Sequence, residues 1–289
     1  MNTKTLKLPF TKMTGAGNDF IMIDNRDGQY SLDWSMAAKS LCDRHYGIGG
    51  DGLIVLEKSE KADFRMNYFN SDGSYGGMCG NGGRCAAQFA VAVAGTKRIR
   101  FEALDHIYSA NFIDNKIFLS MKDPTSLIIN KIIELNNVKL RLHYIDTGSP
   151  HVVILTDNLS EDIMEDIRVN GISEIGRLIR FHAEFAPEGV NVNFITVEAD
   201  HSVSMRTYER GVEGETLACG TGSVASAIVA NHLLGLHSPI FINTKSKERL
   251  AVTFDNNGIL YTNIRLSGPA KKLFEGSTVI NTESYDLST

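Results

Sequence analysis

The chain has 289 residues, a net charge of −5 and 43% apolar side chains, enough to fill the cores of one large or two compact domains. It carries no sustained basic run, which argues against a phosphate-neutralising nucleic-acid surface, and no apolar run nears the roughly 20 residues that span a membrane. The N-terminal MNTKTLKLPFTKM is basic but reaches Pro9 without an apolar core, so no secretory leader is read there, the default location is the cytoplasm, and the expected partner is a small molecule.

In chain order, short β-rich runs punctuated by glycine predict strands over 20–24, 53–57, 64–69, 117–121, 151–155, 190–197, 203–208 and 259–264. Helical patterns fall at 33–45, where Asp33 can serve as N-cap, at 160–169, at 173–182, and in two alanine-rich segments at 86–94 and 223–234. The fold class is α+β. Asp123-Pro124-Thr125 is the best break near the middle, which gives an N-terminal half of 1–124 and a C-terminal half of 125–289 whose final strand is free to cross back to the first. Four cysteines (Cys42, Cys79, Cys85, Cys219) without a leader argue against a disulfide framework and leave chemistry, metal or burial to explain them. The spacing of Cys79 and Cys85 is not the about two to four residues of paired structural zinc ligands, so no metal is expected. Cys42 and Cys85 read as buried small apolar residues.

Internal repetition is more informative. Tyr68-Phe-Asn70, then Asp72-Gly73, then Cys79-Gly80-Asn81-Gly82-Gly83-Arg84, lead into an alanine-rich stretch ending at Gly95. Tyr208-Glu209-Arg210-Gly211, then Cys219-Gly220-Thr221-Gly222-Ser223, lead into a second one ending at Gly235. Tyr68/Tyr208, Cys79/Cys219, Ala87/Ala227, Ala90/Ala230 and Gly95/Gly235 are each 140 positions apart. A weaker echo with an offset of 133 pairs Thr14-Gly-Ala-Gly-Asn18 with Thr147-Gly-Ser-Pro-His151. Features matched in one order predict two structurally similar halves, with Cys79 and Cys219 as pseudo-symmetry mates.

Each Cys-Gly-x-Gly is expected to end a glycine-rich loop just before a helix. Unpaired N–H groups and the positive dipole end there favour an anion, either a substrate carboxylate or the thiolate itself, and lower a thiol's pKa. The glycines are expected to admit close approach and to adopt backbone conformations closed to other residues. Two thiols on either side of one α-carbon suit its inversion: one removes the proton as thiolate, the other delivers a proton to the opposite face. Amide donors aimed at the developing charge contribute about 3–4 kcal/mol each.

Seven ordered motifs carry a resemblance. Thr14-Gly-Ala-Gly-Asn-Asp-Phe20, Asn70-Ser-Asp-Gly-Ser, Met78-Cys-Gly-Asn-Gly-Gly-Arg-Cys85, Gly148-Ser-Pro-His151, Gly189-Val-Asn-Val-Asn193, Tyr208-Glu-Arg-Gly211 and Ala218-Cys-Gly-Thr-Gly222 resemble diaminopimelate epimerases. The resemblance implies two pseudo-symmetric α/β domains with the active site in the cleft between them. It also implies a cofactor-free (PLP-independent) isomerase interconverting LL- and meso-diaminopimelate in lysine and peptidoglycan precursor synthesis, with a homodimer admissible. By position, Cys79 and Cys219 resemble the catalytic thiols, and His151 and Glu209 the residues that tune them and hold the substrate amine. Asn18, Asn70, Asn191 and Arg210 resemble substrate-binding positions, and Gly80-Asn81 and Gly220-Thr221 the backbone cradles.

Ser149 departs from the family's common asparagine, and Gly52 from a glutamine found in some members. These departures bear on the distal end of the substrate and keep open a same-fold racemase or epimerase of histidine or a proline derivative; a non-catalytic small-molecule binding protein is a separate alternative, against which the intact pair Cys79 and Cys219 argues. A thiol–disulfide redox protein would carry Cys-x-x-Cys, which is absent. Read singly, His151 is a strand-edge histidine, Glu209-Arg210 an exposed ion pair, and Asn18 and Asn70 turn formers.

Overall fold

The computed structural model describes residues 5–94, 97–114, 116–258 and 260–281, so the expected repeat end at Gly95 and strand start at Ile259 lie outside the described residues. The chain divides into two compact units. The first runs up to Leu119 and resumes at Gly268, and the second is Ser120–Ser267. The break expected at Asp123–Thr125 therefore falls just inside the second unit.

In the first unit, strand Thr5–Gly15 pairs antiparallel on one side with Lys271–Asn281 and on the other with Asn18–Asn25. The ladder continues parallel to Gly52–Glu57, antiparallel to Phe64–Asn70, parallel to Arg98–Ala103, then antiparallel through His106–Ile113 to Lys116–Ser120. The second unit repeats this order of relationships. Ser126–Leu135, Val138–Asp146 and Pro150–Leu155 are successive antiparallel neighbours, Asn191–Val197 joins parallel, and Val203–Glu209 antiparallel. Ile240–Asn243 is then parallel, and Arg249–Asn256 and Tyr261–Gly268 antiparallel. Both parallel steps in each unit require a crossover. Helix Trp34–Leu41 serves the first in one unit and Glu161–Asn170 with Ser173–Arg180 in the other; Gly80–Ala94 and Gly220–Leu234 serve the second. The similar halves predicted from the repeat are thus present as topology.

Each unit has its own core. Leu8, Ile21, Ile23, Leu53 and Val55 pack with Ala37, Ala38 and Leu41 in the first, and Leu142, Val152, Ile154 and Val192 with Ile172 and Ile179 in the second. Asp33 caps its helix as expected, its carboxylate accepting from the N–H groups of Ser35 and Met36 at 2.9 and 3.1 Å.

The two alanine-rich helices begin earlier than their composition predicts, at Gly80 and Gly220. The Cys-Gly-x-Gly segments are therefore the first helical turns and not loops ahead of them. Gly80, Gly82, Gly83, Gly220 and Gly222 are absent from the glycines with positive φ, so the expectation that they adopt conformations closed to other residues is corrected. Crowding bears on two of them instead: an added Cβ would lie 2.9 Å from Ile54 Cδ1 at Gly82 and 2.8 Å from Met78 Cε at Gly83. Propensity penalises glycine in a helix by up to about 1 kcal/mol, and here close packing overrides it. Strands such as Ser126–Leu135 and Lys271–Asn281 escaped the sequence pattern because they are largely exposed and mixed in polarity; in the former, exposure alternates but the run Leu-Ile-Ile-Asn-Lys-Ile-Ile does not alternate apolar with polar.

Candidate active site

Cys79 and Cys219 each stand immediately before a 15-residue helix. Cys219 has extended backbone (φ −121°, ψ 119°), which turns its side chain back over the first turn as an N-cap does. Its Sγ accepts the N–H of Gly222 at 3.4 Å, and Cys79 Sγ accepts the N–H of Gly82 at the same 3.4 Å. The main-chain carbonyls behave alike, Cys79 O accepting from Gly83 N–H at 2.7 Å and Cys219 O from Ser223 N–H at 2.9 Å. A backbone donor and the positive helix end on each sulfur favour the thiolate. Cys219 is buried and Cys79 partly so.

The residues two positions on reach the residues that the weaker echo paired. Asn81 Nδ2 donates to Asn18 Oδ1 at 2.6 Å, and Thr221 Oγ1 meets His151 Nε2 at 2.9 Å. Thr221 Oγ1 also lies 3.5 Å from Cys219 Sγ and accepts from Ser149 Oγ at 3.2 Å, while Ser149 Oγ is 3.0 Å from His151 Nε2. Ser149, the departure from the family pattern, thus belongs to the cluster around the thiol. His151 is fully buried. Burial, helped by the Arg210 charge, pushes its pKa down to about 3, so the ring is neutral.

The remaining predicted residues are placed as follows. Asn70 is held in its own turn, its Oδ1 accepting from Tyr68 Oη at 2.7 Å and its Nδ2 donating to Ser74 Oγ at 2.9 Å. Its cross-strand neighbour is Gly52. A Cβ there would lie 2.5 Å from both Phe69 O and Tyr68 Cε2, so the Tyr68 ring occupies the space a longer residue at 52 would need. Asn191 spends its amide on the main chain, Nδ2 donating to Pro150 O at 3.0 Å and Oδ1 accepting Arg210 N–H at 2.9 Å. Arg210 lines a cavity of about 420 Å³ with Tyr144, Asp146, Pro150 and Glu188. Glu209 ends its strand, and its carbonyl accepts from Glu213 N–H at 2.9 Å. The geometry brings together Asn18 with Asn81, His151 with Thr221 and Cys219, and Asn191 with Arg210, and it keeps Asn70 within its turn.

Two residues outside the predicted set extend these contacts, one in each unit. Asp51 accepts from Asn18 Nδ2 at 3.0 Å and is itself bound by Arg44. Asn193 lies 3.0 Å from His151 Nδ1; it stood in the Gly189–Asn193 motif, where spacing alone gave no reason to single it out. Cys42 and Cys85 are buried, and burial pushes both thiols up to about 12.

Residues 10–125 and 143–271 match the sequence model of a family described as diaminopimelate epimerase. Curated proteins of that name from Chlorobaculum tepidum, Hydrogenobaculum sp. and Archaeoglobus fulgidus are 42%, 41% and 36% identical, over 93%, 92% and 98% of this chain and 100%, 96% and 100% of their own lengths. In fold, the chain is similar to the crystal structure of a hydroxyproline epimerase from Agrobacterium vitis with bound trans-4-hydroxy-L-proline, at a TM-score of 0.72 and 13% identity over 96% of this chain and 92% of that one. It is also similar to a PhzF-family phenazine biosynthesis protein from Bacillus anthracis, at a TM-score of 0.67 and 18% identity over 96% and 100%.

Proposed function

From the premise that this chain belongs to the diaminopimelate epimerase family, we infer that it is an isomerase that inverts one α-carbon of 2,6-diaminopimelate, interconverting the LL and meso forms. The observation that carries the mechanism is the matched pair of cysteines, each at the start of a long helix with a backbone N–H 3.4 Å from its sulfur. The reading assigns one thiol from each half to each role. A thiolate takes the α-proton, the other thiol returns a proton to the opposite face, and exchanging the roles runs the reaction backward. A proton beside a carboxylate is weakly acidic, so the amide end of each helix is assigned to the substrate carboxylate, where it opposes the charge that builds on it. His151, neutral and hydrogen-bonded through Thr221 towards Cys219, tunes that thiol without carrying a charge of its own. Asn18, Asn70, Asn191, Glu209 and Arg210 are assigned to substrate contact or to holding the residues that make it.

Among the described residues no helix is long and apolar enough to cross a membrane. The reading puts the reaction in the cytoplasm, supplying lysine and peptidoglycan precursors.

The test is α-proton exchange in deuterated water with LL- and meso-diaminopimelate, read by mass spectrometry and chiral separation, for the wild type and for Cys79→Ala and Cys219→Ala. Inversion with label in the wild type, and its loss in either variant, is expected. Wild-type protein that leaves both isomers unlabelled removes the substrate, and histidine and proline derivatives are then screened. An alanine variant that still inverts removes the two-thiol mechanism.

A further inference from the structure

We propose that Asn193 is a positioning residue that holds His151 in the tautomer with its proton on Nε2, so that every hydrogen bond in the chain Asn193–His151–Thr221 donates towards Cys219 Sγ. The inference builds on the reading of Cys219 as an acid–base thiol.

The Asn193 amide can sit only one way round. Its Nδ2 lies 3.0 Å from Val152 O, a carbonyl that can only accept, and its Oδ1 accepts the Thr207 hydroxyl at 2.9 Å. Turning the amide over would set its oxygen against the Val152 carbonyl, so the orientation is fixed by its neighbours. Nδ2 then has two protons and two acceptors, Val152 O and His151 Nδ1, each at 3.0 Å. His151 Nδ1 must offer its lone pair, and a neutral ring with a lone pair on Nδ1 carries its proton on Nε2.

The rest of the direction follows. The Nε2 proton is shared with Ser149 Oγ at 3.0 Å and Thr221 Oγ1 at 2.9 Å. Thr221 Oγ1 accepts this donor and the Ser149 hydroxyl, which leaves its own proton for Cys219 Sγ at 3.5 Å. With Gly222 N–H, the sulfur receives two donors from this unit, and both favour the thiolate over the thiol. Burial enforces the arrangement: His151 and Asn193 are fully buried and Thr207 almost so, so water is not at hand to satisfy a reversed ring. The opposite tautomer would put an N–H against the Asn193 amide protons.

The protein labelled with ¹⁵N-histidine tests this directly, because long-range proton–nitrogen correlation spectra distinguish the two neutral tautomers. The wild type is expected to show His151 protonated on Nε2. Asn193→Asp, which offers only acceptors, is expected to move the proton to Nδ1 and to slow site-resolved alkylation of Cys219 about tenfold, with Cys79 unaffected. Thr207→Val, which leaves the Val152 carbonyl in place, is expected to keep the Nε2 pattern. A wild-type ring protonated on Nδ1, or an Asn193→Asp protein that keeps the Nε2 pattern, overturns the proposal. The wild-type spectrum decides even where the aspartate variant does not fold. The expected tautomer and its switch, in a protein that leaves diaminopimelate untouched, would sink the substrate reading and leave the role of Asn193 standing.

Discussion

Gly222 and Asn193 are packed so closely that a Cβ added to the glycine would lie 2.4 Å from Asn193 Oδ1. In an open helix a glycine-to-alanine change gains up to about 1 kcal/mol, but here it must displace a fully buried amide that is bonded on both sides. Gly222→Ala is therefore expected to lose about 1–3 kcal/mol, as overpacked cores do. Urea denaturation measures it, and an unchanged or raised midpoint would show that the amide yields freely.

Thr221 Oγ1 lies within reach of both His151 and Cys219. Thr221→Val removes the hydroxyl and keeps the shape, and it is expected to slow α-proton exchange about 10–100-fold, while Thr221→Ser restores most of the rate. Equal rates in the valine and serine variants would show that the hydroxyl carries no part of the reaction.

Lys12 is buried with its ammonium 2.8 Å from Asp19, and Arg44 reaches the same carboxylate at 2.7 Å from a half-exposed position. Arg44 and Lys12 hold the Asp19 carboxyl down to about 2 against the opposing pull of burial. Removing Asp19 leaves the buried Lys12 ammonium on the Gly49 carbonyl without this counter-charge, so Asp19→Asn is expected to cost about 3–5 kcal/mol, whereas Arg44→Gln costs about 1 kcal/mol or less. Chemical denaturation of the two variants checks the order, and a larger loss for Arg44→Gln would reverse the argument.

Burial, with the charges of Arg141 and His232, lowers His143 to about 4, and burial with Arg210 lowers His151 to about 3, both from 6.5. Below about pH 6.5 the unfolded chain takes up protons that the folded chain refuses, so these groups make stability fall as pH drops towards 4 and rise again as pH returns to neutral. The slope is up to about 1.4 kcal/mol per pH unit for each ring. Urea midpoints at about pH 7 and about pH 5 are expected to show this fall, and His143→Gln to flatten it. An equal slope in the variant would remove His143 from the account.

Cys42 and Cys85, buried and with thiols pushed up to about 12, are expected to resist iodoacetamide in the native protein near neutral pH. Mass spectrometry of the alkylated chain locates the label. Modification of either residue before unfolding would contradict their burial.

The paired cysteines and the two-unit topology were legible because the repeated segments keep one register, and a repeat of that length leaves its chemistry in matching places. Glycine was the misleading signal. Composition suggested loops with special backbone angles, and the residues turned out to be helical and chosen for close packing, which only neighbours such as Asn193 and Ile54 reveal. Asp51 and Asn193 were hidden for a related reason. They lie 33 and 42 residues from the side chains they bind, Asn18 and His151, and those contacts exist only once the parallel strands are laid side by side. Strands such as Lys271–Asn281 carry too little apolar alternation to announce themselves.

That last strand also sets an order of assembly. Its ladder joins Lys12 to Phe274 and Leu6 to Ile280, so the opening strand of the first unit pairs with a strand that follows the whole of the second. Every strand in the ladder from Ser126–Leu135 to Tyr261–Gly268 lies between the two in sequence. The second unit is one continuous stretch of chain and the first is not, so until Lys271–Asn281 docks, Thr5–Gly15 presents an open edge, and that edge is where a folding chain of this protein is most exposed to mispairing.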